Sequence, residues 1–319
     1  MSNRPLLNVV VHRVNVEAKH ILSLELRDSN GAYLPDFVAG SHVDLHLANG
    51  LIRSYSLFNS PAERHRYVVG VLNDKNSRGG SRYVHEQLRV GSTLSISAPR
   101  NNFPLHESPA ASAAVLIAGG IGITPILCMF KRLRDLQQSA TLLYCARSRD
   151  EAAFFDELDT MDNVDFHFDA EVGQAPDLHA YLKRIAPDSH VYCCGPAPMI
   201  TAFEKACDAL GLVNVHVERF SAEPIGDALQ NDAYQVVLAK TGRTIEVPEG
   251  RSLLEVLLDE GIAVDYSCRE GVCGACETGV LDGHPDHRDS ILTKAERQAG
   301  KTMMVCVSGC KDARLTLDL

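Results

Sequence analysis

The sequence predicts a multidomain protein with three folded parts: an antiparallel β-barrel at residues 1–106, an α/β domain with a parallel sheet at residues 107–222, and a small α+β domain at residues 232–319. Three observations lead to this division. The chain has 319 residues, which is more than one ordinary domain needs. Its apolar pattern changes along the chain from short alternating runs to longer runs separated by helix-like stretches. Residues 223–231 contain proline, glycine and asparagine and are predicted to form a linker.

Composition excludes several classes of protein. Hydrophobic residues make up 45% and charged residues 23%, which is typical of a soluble globular chain. Acidic residues outnumber basic ones by 41 to 31, so a basic nucleic-acid-binding surface is not expected. The uncharged stretch 108–130 is long enough to span a bilayer, but glycines and Pro125 interrupt it, so no membrane segment is predicted.

The amino terminus and the cysteines predict a cytoplasmic location. The first ten residues contain no apolar run of signal-peptide length. Ten cysteines in a chain without an export signal indicate metal ligands or free thiols rather than a disulfide framework.

The first part reads as a series of short strands. At 42–47, apolar residues alternate with His42, Asp44 and His46, which predicts a strand with these three side chains exposed. The three other predicted strands are 21–26, 67–72 and 94–97. Turn residues separate the strands and no helix-period run lies between them, so a closed antiparallel barrel is expected.

The second part has the alternation of an α/β domain. Five apolar runs predict buried strands at 113–118, 141–146, 164–168, 190–194 and 215–217. Helix-like stretches lie between them at 125–136, 151–161, 178–185 and 197–210. Such alternation implies a parallel sheet with helices on both faces.

The third part begins with a predicted hairpin at Thr241-Gly242. Ser252 and Glu255 have the spacing of a capping box, which predicts the start of a helix that Gly261 ends.

Four cysteines in the third part carry the strongest chemical signal. Cys268, Cys273 and Cys276 have the spacing C-x4-C-x2-C, and Cys306 follows after 29 further residues. This is the plant-type spacing for a [2Fe–2S] cluster, and thiolates are the soft ligands that such a cluster needs. A zinc site usually has two C-x2-C pairs, and only one is present. Buried structural thiols are the other alternative.

Residues 232–319 resemble the plant-type [2Fe–2S] ferredoxins, which implies a β-grasp fold. The resemblance places the fourth ligand in Met-Met-Val-Cys-Val-Ser, which is Cys306. Cys310 competes with it for this position and is expected to be a core or surface thiol.

Arg53-Ser54-Tyr55-Ser56 resembles the flavin motif of the ferredoxin–NADP reductase superfamily. The resemblance implies that Arg53 neutralises a flavin phosphate, that Tyr55 packs on the flavin and that Ser56 lies near its reactive N5 atom. It also assigns Val71 to the flavin site. The alternative is an ordinary strand with an exposed arginine.

A glycine-rich segment adds a second flavin-phosphate candidate. Gly79, Gly80 and Ser81 offer flexible backbone N–H groups and a hydroxyl, which suit a phosphate nest, although a mobile hairpin tip would look the same. Residues 98–105 resemble the phthalate dioxygenase reductase branch, which implies FMN rather than FAD.

The second part contains two candidate nucleotide-binding turns. The first holds Gly119, Gly120 and Gly122 and is followed by Thr124, the predicted N-cap, and Pro125 at the first helical position. A helix start of this kind attracts a pyrophosphate. The second turn is Cys194-Gly195-Pro196.

The superfamily resemblance assigns roles near the nicotinamide. It implies that Cys194 faces the nicotinamide and that Phe220 lies close to the flavin, so that Ser56, Cys194 and Phe220 form the candidate catalytic set. Arg147 is a candidate ligand for a nucleotide phosphate: either Arg147 or Arg149 could pair with the 2′-phosphate of NADPH, bind the pyrophosphate or face solvent. Asp150 and Glu151 would repel the 2′-phosphate of NADPH, so NADH is expected.

The thirteen histidines are scattered and form no H-x-x-x-H pair in a helical segment, so no histidine metal site is predicted.

The order of the three parts resembles phthalate dioxygenase reductase and vanillate O-demethylase reductase over essentially the whole chain. The resemblance implies a reductase that passes electrons from NADH through FMN and a [2Fe–2S] cluster to a terminal Rieske-type oxygenase. A reductase for a cytochrome P450 and a non-catalytic redox carrier or sensor are the alternatives. Acidic residues in or near the cluster loop are expected either to dock the partner or only to keep the domain soluble: Asp265, Glu270, Glu277, Asp282 and Asp286.

Overall fold

The computed structural model describes residues 5–107, 113–221 and 232–319. Contacts group the chain into two compact units, one spanning Leu6–Phe220 and one that includes residues 232–319. The first two predicted parts therefore form one unit, and the boundary near residue 106 stays a prediction. The predicted linker at 223–231 lies outside the described residues. In the described ranges, no helix is both long and apolar enough to cross a membrane.

An antiparallel sheet forms the first half of the larger unit. Its strands and single helix are β1 Leu7–Ala18, β2 Ile21–Asp28, β3 Ser41–His46, β4 Ile52–Ser56, β5 Tyr67–Leu72, α1 Gly80–Gln87, β6 Thr93–Ile96 and β7 Arg100–Asn101. The strand order is β4-β3-β6-β1-β2-β5, with β7 paired to β3. The sheet surrounds a core of apolar side chains that includes Val9, Leu24, Leu45 and Val69.

The expectation of a closed barrel is corrected, because no continuous ladder joins the edge strands β4 and β5 in the described chain. They meet at one isolated bridge between Leu57 and Val69. Beside this bridge, the side chain of Asn59 accepts a hydrogen bond of 2.9 Å from the backbone N–H of Val68. The side chain of Asn59, in place of a strand, thus accepts this backbone N–H of β5, and the pairing between the two edge strands ends there.

The prediction that His42 and Asp44 are exposed is wrong. Both are about 5% exposed or less, because β7 and the side chain of Arg100 cover this face of β3. Asp44 forms a 2.7 Å ion pair with Arg100 and accepts a 2.6 Å hydrogen bond from Ser54. Burial alone would raise the pKa of Asp44, but the Arg100 charge outweighs it and lowers that pKa below its ordinary value.

A five-stranded parallel sheet forms the second half of the unit, as predicted. Its elements are β8 Ala114–Gly119, α2 Ile123–Asp135, β9 Ala140–Ala146, α3 Phe155–Leu158, β10 Val164–Phe168, α4 Asp169–Val172, α5 Leu178–Leu182, β11 Val191–Cys194, α6 Ala197–Leu210 and β12 Val215–Glu218. The order is β10-β9-β8-β11-β12. The helix predicted at 151–161 is reduced to a 3₁₀ turn and α3, because Phe154 adopts a left-handed conformation with φ 62°.

The smaller unit contains β13 Tyr234–Leu238, β14 Thr244–Val247, α7 Leu253–Asp259, β15 Glu277–Asp282, β16 Pro285–Asp286, α8 Lys294–Ala299, β17 Thr302–Met304, β18 Gly309–Cys310 and β19 Arg314–Leu317. Its mixed sheet has the order β14-β13-β19-β15-β17, in which β13 and β19, the first and last strands of the unit in sequence, are parallel neighbours. The predicted capping box is confirmed, since the Ser252 and Glu255 side chains each accept the other's backbone N–H. The apolar face of α7 packs on this sheet, as a β-grasp fold requires.

Candidate functional site

Arg53 lies against the first turn of α1. An added Cβ at Gly80 would come within 2.6 Å of both Cγ and Nε of Arg53, so only glycine leaves room for the arginine. Gly79, the N-cap, has φ 96°, a conformation that glycine adopts without strain. The guanidinium and the positive end of the helix dipole therefore act at the same place, which suits a phosphate.

The loop before α1 is organised by serine side chains. Ser77 Oγ accepts the Gly79 backbone N–H at 3.2 Å, and Ser81 Oγ accepts the Asp74 N–H at 3.3 Å. Because the Ser81 oxygen accepts, its proton is available to a phosphate oxygen. The segment predicted as a phosphate nest, with a mobile hairpin tip as the alternative, thus contains the start of a helix that the sequence did not predict.

Tyr55 and Val71 lie on the strands β4 and β5. Burial raises the pKa of the Tyr55 phenol, so the ring stays neutral. Val71 is fully buried, and its carbonyl is 2.9 Å from the His85 ring nitrogen of α1. These contacts hold α1, and with it the phosphate cradle, against the sheet.

The two predicted nucleotide-binding turns meet at the carboxyl ends of neighbouring strands. Ala118 of β8 pairs with Cys194 of β11. An added Cβ at Gly122 would lie 2.2 Å from the Cys194 carbonyl oxygen, and one at Gly119 would lie 2.7 Å from Pro196 Cδ. Gly122 is thus required by the close approach of the Cys194 backbone, and Gly119 by the Pro196 ring and the Met199 side chain. This edge is where ligands bind in open α/β sheets.

The prediction that Thr124 is the N-cap is wrong. A 3₁₀ turn at Gly120–Gly122 runs into α2, which begins at Ile123 with Gly122 as N-cap. Thr124 is buried within the helix, and its hydroxyl donates to the Ile121 carbonyl at 3.0 Å. An added Cβ at Gly70 of β5 would come within 2.7 Å of Thr124 Cγ2. Thr124 therefore packs the nucleotide half against the flavin half.

Glu218 joins the candidate catalytic residues and was missed by the sequence analysis. It pairs with Cys194 across β11 and β12, and its carboxyl is hydrogen-bonded to the Ser56 hydroxyl. Its buried Oε2 has no hydrogen-bond partner within the described chain. Burial raises the pKa of Glu218 to about 8, only partly offset by Ser56, so the carboxyl is mostly neutral at pH 7.

Ser56, Cys194 and Glu218 therefore form one buried cluster that draws on both halves of the unit. Ser56 and Cys194 are almost fully buried, and burial beside Glu218 raises the pKa of the Cys194 thiol well above its ordinary value. Phe220, two residues beyond Glu218, is 40% exposed. A largely neutral cluster with buried polar groups of this kind is what a site that excludes water requires.

The basic residues after β9 differ in their surroundings. Arg147 is exposed, and its carbonyl accepts the Ala170 N–H. Arg149 forms a two-point ion pair with Glu171 at 2.6 and 3.2 Å and stacks on Phe155 and Phe168. Asp150 lies 3.5 Å from Lys19.

The four predicted cluster cysteines come together in the smaller unit. Their thiols are hydrogen-bonded in two pairs, Cys268 with Cys273 and Cys276 with Cys306. The Cys273 thiol and backbone N–H groups, including that of Glu270 at 3.3 Å from the sulfur, lower the pKa of Cys268 to about 6. The donor set of four sulfurs among N–H groups fits a [2Fe–2S] cluster.

Cys310 is placed apart from these four. It lies on β18, opposite Pro285 of β16, and its thiol is near Asp312. Cys310 belongs to the apolar core of the smaller unit, where it packs at the edge.

Comparison with known proteins adds two family matches. Residues 236–311 match a 2Fe-2S iron-sulfur cluster binding domain, and residues 116–205 match an oxidoreductase NAD-binding domain. A phenoxybenzoate dioxygenase subunit beta from Ectopseudomonas oleovorans is 47% identical over 97% of this chain and 96% of its own. A vanillate O-demethylase oxidoreductase from Pseudomonas sp. (strain HR199 / DSM 7063) is 43% identical over 98% of this chain and 100% of its own.

Two solved structures extend the comparison. Phthalate dioxygenase reductase, described as a modular structure for electron transfer from pyridine nucleotides to [2Fe–2S], is 39% identical with a TM-score of 0.72 and 98% coverage of both chains. An intact type IV self-sufficient cytochrome P450 monooxygenase is 39% identical with a TM-score of 0.88 over 98% of this chain, which spans 41% of that longer chain.

The fold and the matched domains define an oxidoreductase that combines a nicotinamide nucleotide site with an iron–sulfur domain. The chain belongs to the family of phthalate dioxygenase reductase and the vanillate O-demethylase oxidoreductases.

The first prediction concerns the cluster ligands. Cys310→Ser is expected to retain about two irons per chain, whereas Cys306→Ala is expected to lose the cluster, because only Cys306 lies with the other three thiols. Iron content and visible absorption measure this, with NADH-dependent flavin reduction as the control for an intact larger unit. Loss of iron in Cys310→Ser alone would contradict the assignment.

The second prediction concerns Arg53. Arg53→Ala removes a charge-assisted phosphate contact of about 1.5–3 kcal/mol, so the Kd of FMN should rise by at least about tenfold. Titration of the apoprotein with FMN, followed by flavin fluorescence, measures the change. Arg13→Ala, an exposed arginine on β1, is the control and should leave the Kd unchanged. Equal affinities in both variants would remove Arg53 from the site.

The third prediction concerns Glu218. Its raised pKa means that folding must keep the carboxyl protonated, so the free energy of unfolding falls as the pH rises from about 5 to about 8 and then levels off. Glu218→Gln cannot ionise and should gain stability relative to wild type over the same interval.

Thermal release of flavin fluorescence at several pH values measures this for the larger unit. Glu86→Gln changes an exposed carboxyl on α1, so the difference between its midpoint and that of wild type should not grow as the pH rises. If the midpoints of Glu218→Gln and wild type differed by the same amount at every pH, the Glu218 carboxyl would be ionised in the folded protein.

Proposed function

We propose that this chain is the reductase component of a Rieske-type aromatic-ring oxygenase or O-demethylase system, and that it passes electrons from NADH through FMN and a [2Fe–2S] cluster to the terminal oxygenase. The observation that carries the proposal is the convergence of Ser56, Cys194 and Glu218 in one buried cluster, which joins the flavin strand to the nucleotide turn. The names of the relatives support an oxygenase as the acceptor.

A flavin bound at this site would supply the change from two-electron transfer at the nicotinamide to one-electron transfer at the iron–sulfur cluster. The chain's own residues bind and position the flavin, the nucleotide and the cluster. Arg53 and the start of α1, with Gly79, Gly80 and Ser81, hold the flavin phosphate. Ser56, Cys194 and Phe220 line the hydride-transfer site, together with the neutral carboxyl of Glu218.

The turns at Gly119–Gly122 and Cys194–Pro196 bind the nicotinamide nucleotide, and Arg147 is the candidate for a phosphate contact. Cys268, Cys273, Cys276 and Cys306 bind the cluster.

NADH is the proposed donor. Arg149, one of the two arginines after β9 that could recognise a 2′-phosphate, is already paired with Glu171. Asp150 adds a negative charge next to it, so a 2′-phosphate would meet repulsion there, and Arg147 is the arginine that remains for a phosphate contact. FMN rather than FAD rests on the likeness to phthalate dioxygenase reductase. A cytoplasmic location is supported by all ten cysteines, every one of them among the described residues and free of disulfides.

A cytochrome P450 is the second candidate acceptor, because a self-sufficient P450 contains a segment similar to this whole chain. The distinguishing experiment reduces the purified protein with NADH and supplies, in turn, a Rieske oxygenase and a P450, while product formation is followed. Coupled turnover with the Rieske oxygenase, a higher kcat/KM for NADH than for NADPH, and extracted FMN are expected. Turnover with the P450 alone would overturn the acceptor assignment, and failure to reduce a one-electron dye would leave a non-catalytic carrier.

Acidic residues beside the cluster loop are the proposed docking surface for the partner. Of the five candidates, Glu277 and Asp282, at the two ends of β15, are exposed. Asp286 is instead paired with Arg288 at 2.6 Å. Exposed Leu281 lies between them in sequence and adds apolar area. Charges of this kind raise the association rate with a basic partner and are screened by salt.

The fourth prediction tests this surface. Glu277→Gln and Asp282→Asn should each lower kcat/KM for the oxygenase several-fold at low salt, and the difference from wild type should vanish at high salt. NADH oxidation coupled to oxygenase turnover is the measurement. Glu249→Gln changes the same charge on an exposed residue after β14 and should behave as wild type. An equal loss of kcat/KM in all three variants would contradict the proposal that Glu277 and Asp282 dock the oxygenase.

A further inference from the structure

Three histidines from distant parts of the sequence converge in the larger unit. His106 follows the antiparallel sheet, His190 immediately precedes β11, and His216 lies in β12. Each can offer one ring nitrogen such that all three nitrogens lie within 4.8 Å of one another. His190 Nδ1 and His216 Nε2 are already 3.0 Å apart.

Sheet register explains the convergence. Tyr192 pairs directly with His216, and His190 lies on the same face of β11 as Tyr192 because side chains alternate along a strand. The Tyr192 hydroxyl accepts the backbone N–H of His106 at 3.0 Å, which fixes His106 over this face. The three histidine rings lie 4.7–5.3 Å from one another, and the His216 ring stacks on Tyr192 at 4.5 Å.

The cluster is outside the proposed cofactor sites and is composed only of imidazoles. A neutral imidazole offers a nitrogen lone pair, the donor that Zn²⁺ and its neighbours in the transition series prefer, whereas Mg²⁺ and Ca²⁺ prefer oxygen. In tetrahedral zinc coordination, with Zn–N of about 2.0–2.1 Å, ligand nitrogens are roughly 3.3 Å apart. The observed 3.0 Å pair needs only a small opening to reach that spacing.

We propose that His106, His190 and His216 form a binding site for one divalent transition-metal ion, of which Zn²⁺ is the best match, with water at the fourth position. His106 is exposed, which gives the ion a route of entry and the fourth ligand access to solvent. Metal binding would clamp the segment that leaves the antiparallel sheet to the edge strand β12 of the parallel sheet.

The test uses the purified holoprotein and ZnCl₂, in competition with a chromophoric chelator. Wild type is expected to bind one Zn²⁺ that His106→Gln, His190→Gln and His216→Gln each weaken by at least about tenfold, since even residues that only support a ligand typically cost that much. His12→Gln, an exposed histidine on β1, is the matched control and should bind as wild type. His106→Gln changes an exposed side chain, so its fold should be retained.

Thermal release of flavin gives a second readout, because an ion that binds only the folded state raises the midpoint. Zn²⁺ should raise the midpoint of wild type and His12→Gln but not that of His216→Gln. Unchanged zinc affinity in the three histidine variants would assign the ion to thiols and overturn the proposal. Absence of tight Zn²⁺ binding to wild type would leave the three rings as a stacked aromatic cluster only and would overturn it equally.

Discussion

The buried carboxylate of Asp44, which is paired with Arg100 and accepts a hydrogen bond from the Ser54 hydroxyl, sets the register on which the flavin site depends. Asp44 lies directly opposite Ser54, whose hydroxyl it binds, and His42 lies opposite Ser56. A shift of one residue would exchange the two faces of β4, and would misplace Arg53, Tyr55 and Ser56 together. It would also take the Ser54 hydroxyl away from the buried Asp44 carboxylate, and an unmade buried hydrogen bond typically costs about 1–3 kcal/mol. This hydrogen bond therefore favours one register over its neighbours.

That register brings Ser56 to Glu218 and links the two halves of the larger unit. One further contact maintains the link, since the Thr124 side chain fills the space that Gly70 leaves open. Within the second half, Gly122 lets the start of α2 approach the Cys194 carbonyl. Each contact needs a glycine, because a side chain at either position would push the neighbouring atoms away. The candidate catalytic cluster is thus held by close packing around two glycines.

Local signals in the sequence predicted most of the regular structure. α6 and β10 have the bounds that their apolar runs indicate, and the Ser252–Glu255 capping box marks the start of α7. These local signals failed where tertiary contacts determine the secondary structure. α1 begins at Gly80 after a second glycine at its N-cap, and glycine is a poor helix former; the helix is held instead by its contacts through Arg53 and His85. The pairing between the β4 and β5 edges ends at the side chain of Asn59. No pattern of apolar residues in the sequence indicates this end.

The same distinction separates the parts of the candidate sites that sequence can and cannot reveal. The cluster cysteines lie within a short segment plus one distant residue, so their spacing alone carries the chemistry. Glu218 carries no motif, and its importance arises only because parallel pairing places it beside Cys194 and burial keeps its carboxyl neutral. The three histidines are separated by 84 and 26 positions in the sequence. They meet because β11 and β12 are neighbours and because the Tyr192 hydroxyl binds the backbone of His106. A site formed by sheet register therefore becomes visible only when the strand order is known.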